Sequence, residues 1–397
     1  MSKRGGLQTT IIVAMLGMLG PFAIDTIFPG FARIGVQFGV TDAALQQILS
    51  VYLLSFAIAS LFHGPISDAV GRKPVMIVGL SAFVLASIGC ALAPNLPVLL
   101  GMRVLQGASA GAGQIISRAL VRDLYSGVQA QRVMAQIAMI FGIAPAIAPV
   151  VGGWLLAVGN WPVIFVFLAL YATLLIVVVM FGLPETHPAS ARTPVNLRAI
   201  LGGLVLVGRS GAFLRLAFAS SLGFSAQFLY IAGAPIMIVR LLGLGERDFW
   251  MLFFPMISGM VLGSWTNSRL AAWGRPMRLA SIGFGFMLVS AVVNVVVAAA
   301  VGPSMPWAVI GPPITAFGVA LTFPVLQLHM LDMFPARRGA AASLQSFATL
   351  LLNALVAGVI VPMVSGSVLT MALTSAGFAV GAVALWTWHV AASRDRR

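Results

Sequence analysis

The sequence predicts an all-α membrane protein, with twelve transmembrane helices in two pseudo-symmetric six-helix bundles. Three observations carry that prediction. Hydrophobic residues fill 60% of the 397 positions and charged residues only 8%, against about 25% charged in a soluble domain. So few charges cannot cover a water-facing surface, and lipid must be the solvent for most of the chain. Apolar runs of roughly 20 residues, the length that crosses a bilayer core, recur along the whole sequence. A polar segment rich in Pro, Gly and Arg interrupts them near the middle and leaves six on either side.

The runs fall at 8–31, 43–64, 74–93, 96–119, 131–158, 161–183, 212–240, 247–268, 276–299, 303–328, 341–365 and 367–391. They are too long for transmembrane strands, which alternate over about 10 residues. A helix satisfies every backbone hydrogen bond internally, so these are helices. The first run follows Lys3 and Arg4 but exceeds a signal core and has no small-residue cleavage motif, so it is expected to be a retained helix. The expected domains are residues 1–183, a cytoplasmic linker at 184–211, and residues 212–397. A second long loop is expected at 118–132.

The net charge of +14 is a topology signal. With the amino terminus inside, the inner ends and loops hold Lys3, Arg4, Arg72, Lys73, Arg118, Arg122, Arg132 and the arginines of 192–215, 269–278, 337–338 and 394–397, while the outer loops hold only Arg33, Arg240 and Arg247. This asymmetry places both termini in the cytoplasm and argues against a nucleic-acid footprint. A lone cysteine, Cys90, forms no intrachain disulfide and says little about compartment. No Ser/His/Asp set, no His/Cys metal cluster and no Gly-x-x-x-x-Gly-Lys-Ser/Thr phosphate loop occurs, so an enzyme, a metal site or an ATP-driven device is not expected.

The halves repeat weakly. "GPISDAVGRKPVMIVG" (64–79) follows the second run and "GSWTNSRLAAWGRPMRLASIG" (263–283) follows the eighth, with Asn267 where the first copy has Asp68. Parallel six-helix halves suit a carrier whose cargo site lies between them.

Four motifs carry chemistry. The turn Gly64-x-x-x-Asp68-x-x-Gly71-Arg72-Lys73 resembles motif A of the major facilitator superfamily. Its plainer reading is a charged inner turn. The resemblance implies that Asp68 faces the start of helix 11, near Gly339–Ala341, whose free N–H groups attract a carboxylate. The contact would hold a cytoplasmic gate shut, with Asp123 as a partner for Arg72. Arg103-x-x-Gln106-Gly107 resembles motif B, which implies proton coupling. An arginine inside a span costs at least ~2.5 kcal/mol, and the alternative is that Arg103 snorkels to the outer interface. Arg118-x-x-x-Arg122-Asp123-x-Tyr125 resembles a run of the bicyclomycin/chloramphenicol-resistance (Bcr/CflA) branch. Ala144, Pro145, Ala148, Pro149, Gly152 and Gly153 of "APAIAPVVGG" resemble the antiporter motif C, with Ala148 where that motif usually has glycine. The alternative there is generic small-residue packing.

Asp25, in "GPFAIDTIFPGF", is the only acidic residue well inside a span. Ala23-x-Asp25 with Pro29 four residues later resembles the helix-1 motif of drug:proton antiporters, although Ile27-Phe28 replaces the usual Tyr-Leu. The plainer reading is an interfacial residue at the outer mouth. Burial favours a neutral carboxyl and a nearby cation favours a charged one, so a balanced group can exchange a proton against cargo. Asp25 and Arg103 are the expected proton-coupling residues, and the sequence leaves open whether they meet. Asp25, Gln106, Gln114, Gln136, Gln227 and Tyr230 are the expected cargo contacts.

Together the resemblances imply a twelve-helix drug:proton antiporter of the bacterial inner membrane, with the MFS fold. Its cargo would be small amphipathic compounds, chloramphenicol- or bicyclomycin-like. Its coupling ion would be the proton, with no cofactor, no nucleic acid, a lipid surround and a monomeric state. A dedicated metabolite exporter or importer, and a non-transporting receptor or scaffold, remain open alternatives.

Overall fold

Lipid offers a backbone no hydrogen bonds, so the chain must satisfy its own. The computed structural model describes residues 3–125, 144–145, 147–187, 189–192, 196–270 and 276–394, and among them only helices and turns occur. Two compact units divide the chain, Met1–Leu197 and Arg198–Arg397.

The first unit contains α1 (Lys3–Asp25), α2 (Phe31–Phe38), α3 (Asp42–Val70), α4 (Arg72–Ala91), α5 (Leu96–Leu124), α6 (Ile147–Val158) and α7 (Pro162–Gly182). The second contains α9 (Gly211–Pro235), α10 (Trp250–Leu270), α11 (Pro276–Val301), α12 (Gly311–Asp332), α13 (Arg338–Leu355), α14 (Val361–Val364) and α15 (Val368–Arg394). A short helix, α8 (Leu197–Gly208), leads into α9. Nine helical stretches among the described residues are long and apolar enough to cross a membrane. α5 and α10, at 29 and 21 residues, also have the length.

Local chemistry sets the ends. Thr41, Asn95 and Ser210 each cap a helix by accepting the N–H three residues on, from Ala44 at 3.4 Å, Val98 at 3.0 Å and Phe213 at 3.3 Å; each pairs a backbone donor that the helix leaves free. α1 stops at Asp25 and not near residue 31 as expected. Proline's ring clashes with the carbonyl four residues back and supplies no N–H, so Pro29 disfavours continuation past Asp25, where α1 ends. A 3-10 turn at Phe28–Gly30 follows, and then α2. Arg33 donates to the Gly159 carbonyl at 3.0 Å and Trp161 Nε1 donates to Gln37 at 2.7 Å, which fastens α2 to the turn before α7.

Three other expectations shift. α5 continues to Leu124, so residues 118–124 of the expected loop are helical. The expected linker contains α8, whose apolar residues recur at helical spacing. α9 and α13 each pass into a π-helical turn, at Ile236–Leu241 and Val356–Ile360. Of the fifth expected run, residues 131–143 and 146 lie outside the described residues.

The two units pack by the same rule. In the first, α5 packs on α3 and α4, α7 packs on α4, and α1 packs on α5 and α7. In the second, α12 packs on α10 and α11, α15 packs on α11, and α9 packs on α12 and α15. Each pair in one unit has its counterpart six spans later, so the weak sequence repeat is a structural one. The seams correspond too. A side chain at Gly107 of α5 would strike the Tyr52 carbonyl of α3, and one at Gly263 of α10 would strike the Phe317 carbonyl of α12. Gly79 packs on Ala112 between α4 and α5, as Gly283 packs on the Gly318 carbonyl between α11 and α12. In lipid, helices associate through such close backbone approach. The first spans, α1 and α9, are the most enclosed. α11 instead turns Val289, Val292 and Val296 outward, as a lipid-facing stripe does.

Gly107→Val is expected to destabilise the chain by about 1–3 kcal/mol, the usual cost of overpacking. Thermal unfolding in detergent measures this against Gly101→Val, whose side chain meets open space and leaves the midpoint unchanged.

Candidate functional site: a buried polar network at the end of α1

Because Pro29 stops α1 at Asp25, the last carbonyls of the helix have no intrahelical partner. Arg103 supplies one. Its Nη1 donates to the Ala23 carbonyl at 3.0 Å and to Gln106 Oε1 at 2.5 Å, and its Nε donates to the Ile48 carbonyl of α3 at 3.0 Å. Gln106 Nε2 donates to Ser87 Oγ at 2.7 Å, and Ser87 donates to the Phe83 carbonyl at 2.7 Å. One guanidinium thus ties α1, α3 and α5 together, and through Gln106 it reaches α4. A cation at a helix carboxyl end also meets the negative pole of the helix dipole. Arg103 lies over the Tyr52 ring, 4.3 Å from its centroid, a cation–π contact that strengthens in a dry interior. Arg103 is 0% exposed, so the snorkelling alternative does not hold.

Asp25 is buried, and no hydrogen bond reaches its Oδ1. No ion pair within 4 Å joins it to Arg103 among the described residues. The hydroxyls of Thr26 and Tyr52 are also buried without a hydrogen-bond partner, as is Arg103 Nη2. A buried polar group left unmatched costs about 1–3 kcal/mol, and among the described residues of the first unit most such groups gather in this cluster. Gly152 packs its backbone against the Thr26 carbonyl and Pro29 Cδ; a side chain there would displace the end of α1. Ala144, Ala148 and Pro149 are buried, Pro145 is half-buried and Gly153 is buried. Motif C therefore abuts the Asp25 turn. Gln114 is half-buried beside Gly20 of α1. Gln136 lies outside the described residues.

In the second unit, Gln227 is fully buried with neither amide atom bonded. Tyr230 accepts a hydrogen bond from Asn294. Gln345 of α13 shares the Gln227 pattern. Ser221 pairs with Thr349 at 2.8 Å and Ser225 with Asn353 at 3.3 Å, forming a polar ladder between α9 and α13.

The Gly64–Lys73 turn forms a second cluster. Arg72 Nη1 lies 2.5 Å from Asp68 Oδ1 and its Nε lies 3.1 Å from Asp123 Oδ2. Nη1 also donates to Ser67 Oγ at 2.5 Å. Gly71 has φ +114°, a conformation that glycine alone adopts readily, and it lets α3 end and α4 begin within one residue. Gly64 faces open space. Asn267, the repeat's counterpart of Asp68, donates to the Ala320 carbonyl of α12 at 3.1 Å.

Sequence reasoning missed Tyr52, Ser87 and Glu185. Tyr52 sits in an ordinary apolar run, and Ser87 is one small residue among many. Glu185, in "LPETHP", carried one available signal: a carboxylate just past a helix end, in a chain with few acids.

Paired bundles of like topology, each crossed by buried polar clusters, define a membrane carrier of the secondary-transporter type. A sequence profile of the Major Facilitator Superfamily matches residues 11–357, and the chain belongs to that superfamily. A bicyclomycin resistance protein homolog of Haemophilus influenzae is 30% identical over 259 residues, 65% of each chain. Multidrug resistance protein D of Escherichia coli is 27% identical over 354 residues, 87% of this chain and 86% of that one. The first match thus spans just under two thirds of its relative. Among solved structures, a bacterial homolog of the human lysosomal transporter Spinster superposes with TM-score 0.75 at 15% identity, covering 99% of this chain and 98% of that one. The human organic anion transporter MFSD10 gives 0.72 at 19%, covering 96% and 99%. These two likenesses concern the fold.

Arg103→Lys is expected to lower the thermal midpoint clearly, because one ammonium cannot serve the Ala23 and Ile48 carbonyls and Gln106 together. Each acceptor left unmatched costs about 1–3 kcal/mol. Gln114→Ala, measured beside it, leaves the midpoint near that of the parent.

Proposed function

We propose that this transporter is a proton-coupled antiporter of the Bcr/CflA branch. It exports small amphipathic drugs, chloramphenicol- or bicyclomycin-like, across the bacterial inner membrane by alternating access. Both termini lie in the cytoplasm, the working unit is a monomer, and protons are the only coupling species, with no bound cofactor. The domains are residues 1–183 and 212–397, joined by 184–211.

One observation carries the reading: a buried carboxyl group, Asp25, stands at a helix end with no hydrogen bond to its Oδ1 and no ion pair among the described residues. An isolated buried charge is costly, so either a proton or a polar group of the cargo must answer it. Binding one displaces the other, and that competition couples two opposed fluxes. Each proton entering the cell contributes ~2.3 kcal/mol per 100 mV. Arg103 holds the carboxyl end of α1 in place, so its part in coupling is to position Asp25. Gln106, engaged at both ends, supports Arg103. Gln227 and Tyr230, with Gln114 and Gln136, are the cargo contacts proposed alongside Asp25. The Asp68–Arg72–Asp123 cluster with Gly64, Gly71 and Lys73 serves as the cytoplasmic gate. Motif C, from Ala144 to Gly153, braces the Asp25 turn. The names of the relatives, bicyclomycin resistance and multidrug resistance, support the cargo class.

Asp25→Asn is expected to abolish uncoupler-sensitive efflux and return an efflux-deficient strain expressing the chain to its background drug sensitivity. Full resistance in that variant would remove Asp25 from coupling.

A further inference from the structure

Glu185 stands just beyond α7, where the chain leaves the first unit. Its two carboxylate oxygens take different donors. Oε1 accepts the Arg72 N–H at 3.1 Å and the His187 N–H at 2.8 Å, and Oε2 accepts the Lys73 N–H at 3.1 Å. Arg72 and Lys73 are the first two residues of α4, and their N–H groups have no partner within the helix. The carboxylate also meets the positive pole of the helix dipole. Lys73 returns the favour at the other helix: its Nζ donates to the Met180 and Leu183 carbonyls at 2.6 and 2.9 Å, closing the carboxyl end of α7. The helices are thus capped reciprocally, one by an anion and the other by a cation.

Two neighbours join this cap to the Arg72 cluster. A side chain at Gly71 would come within 2.7 Å of Glu185 Oε2, so the glycine makes room for the carboxylate as well as for the turn. Thr186, next in sequence, donates to Asp123 Oδ2 at 3.1 Å, the same oxygen that Arg72 Nε engages.

We infer that Glu185 is a positioning residue of the gate: it pins the start of the inter-unit connection to the first turn of α4 and so fixes the backbone that carries Arg72 to Asp68 and Asp123. The inference rests on the transporter reading for its functional half and on geometry alone for the pin. Glu185 touches no cargo; it acts by setting where Arg72 stands. Movement of the connection pulls on Glu185 and loosens the Arg72 cluster, and a held connection keeps it engaged. A neutral amide in its place keeps the shape but loses the charge and one acceptor. An aspartate keeps both on a shorter stem.

The test compares the full chain with Glu185→Gln and Glu185→Asp in lipid nanodiscs and proteoliposomes. Hydrogen–deuterium exchange across residues 71–76 is expected to rise at least about tenfold in Glu185→Gln and to stay within about threefold of the parent in Glu185→Asp. Uncoupler-sensitive export of chloramphenicol is expected to fall at least fivefold in maximal rate in Glu185→Gln. The half-saturating concentration stays within twofold, and Glu185→Asp restores most of the rate. Unchanged exchange in Glu185→Gln overturns the pin. Faster exchange with an unchanged maximal rate overturns the gating role, as does a loss that appears in half-saturation and that Glu185→Asp does not rescue. A parent chain that exports nothing overturns the transport reading instead, and the exchange comparison, which needs no transport, still decides the pin.

Discussion

A guanidinium sealed from water sets the terms for the first unit. Among the described residues no carboxylate forms an ion pair with Arg103, and its charge is answered by two helix carbonyls, an amide oxygen and the face of an aromatic ring. Breaking any one of these leaves a polar atom in a dry interior. The arrangement therefore locks α1, α3, α4 and α5 in register. It also fixes the end of α1, where Pro29 has already stopped the helix. Asp25 inherits its position from both constraints. Its Oδ1 takes no hydrogen bond, while Arg103 Nη1 and Nε are engaged by the Ala23 and Ile48 carbonyls and by Gln106.

The same economy of partners governs the turn between α3 and α4. There the buried Arg72 faces two partly exposed aspartates, and exposed carboxylates weaken each pair taken singly. Their effect comes from connection: Arg72 bonds to both aspartates, Asp123 also accepts Thr186, and Glu185 closes the helix that carries Arg72. The second unit keeps the topology without this chemistry. Asn267, at the position matching Asp68, donates to a helix carbonyl, so the repeat carries an amide where the first copy carries a carboxylate. The polar content of the two halves differs: the first buries Asp25 and Arg103, and the second buries the amides Gln227, Asn294, Gln345 and Asn353.

Much of the fold was legible because lipid imposes a length on each helix and the hydropathy of the chain reports it. The turn at Gly71 was legible for a local reason: a glycine between an acid and two bases marks a helix end, and α3 and α4 meet there. The partners of Arg103 were hidden, since carbonyl acceptors carry no residue identity and any sequence offers them. Whether Arg103 would meet Asp25 was not legible, because carbonyls at a broken helix end compete for the same guanidinium. Glu185 was hidden by distance, because its partners lie more than a hundred residues earlier. α8 was masked by the Gly202-Gly203 pair and the flanking arginines, although Leu201, Leu204 and Val205 keep helical spacing. Tyr52 stands among apolar residues and two serines, Ser50 and Ser55, that do nothing to single it out.

The central claim is that proton and cargo compete for Asp25. Proton release into weakly buffered detergent solution upon addition of drug measures that competition without any membrane gradient. The account predicts release from the parent chain that saturates with drug and vanishes in Asp25→Asn. Equal release from the two proteins would contradict it.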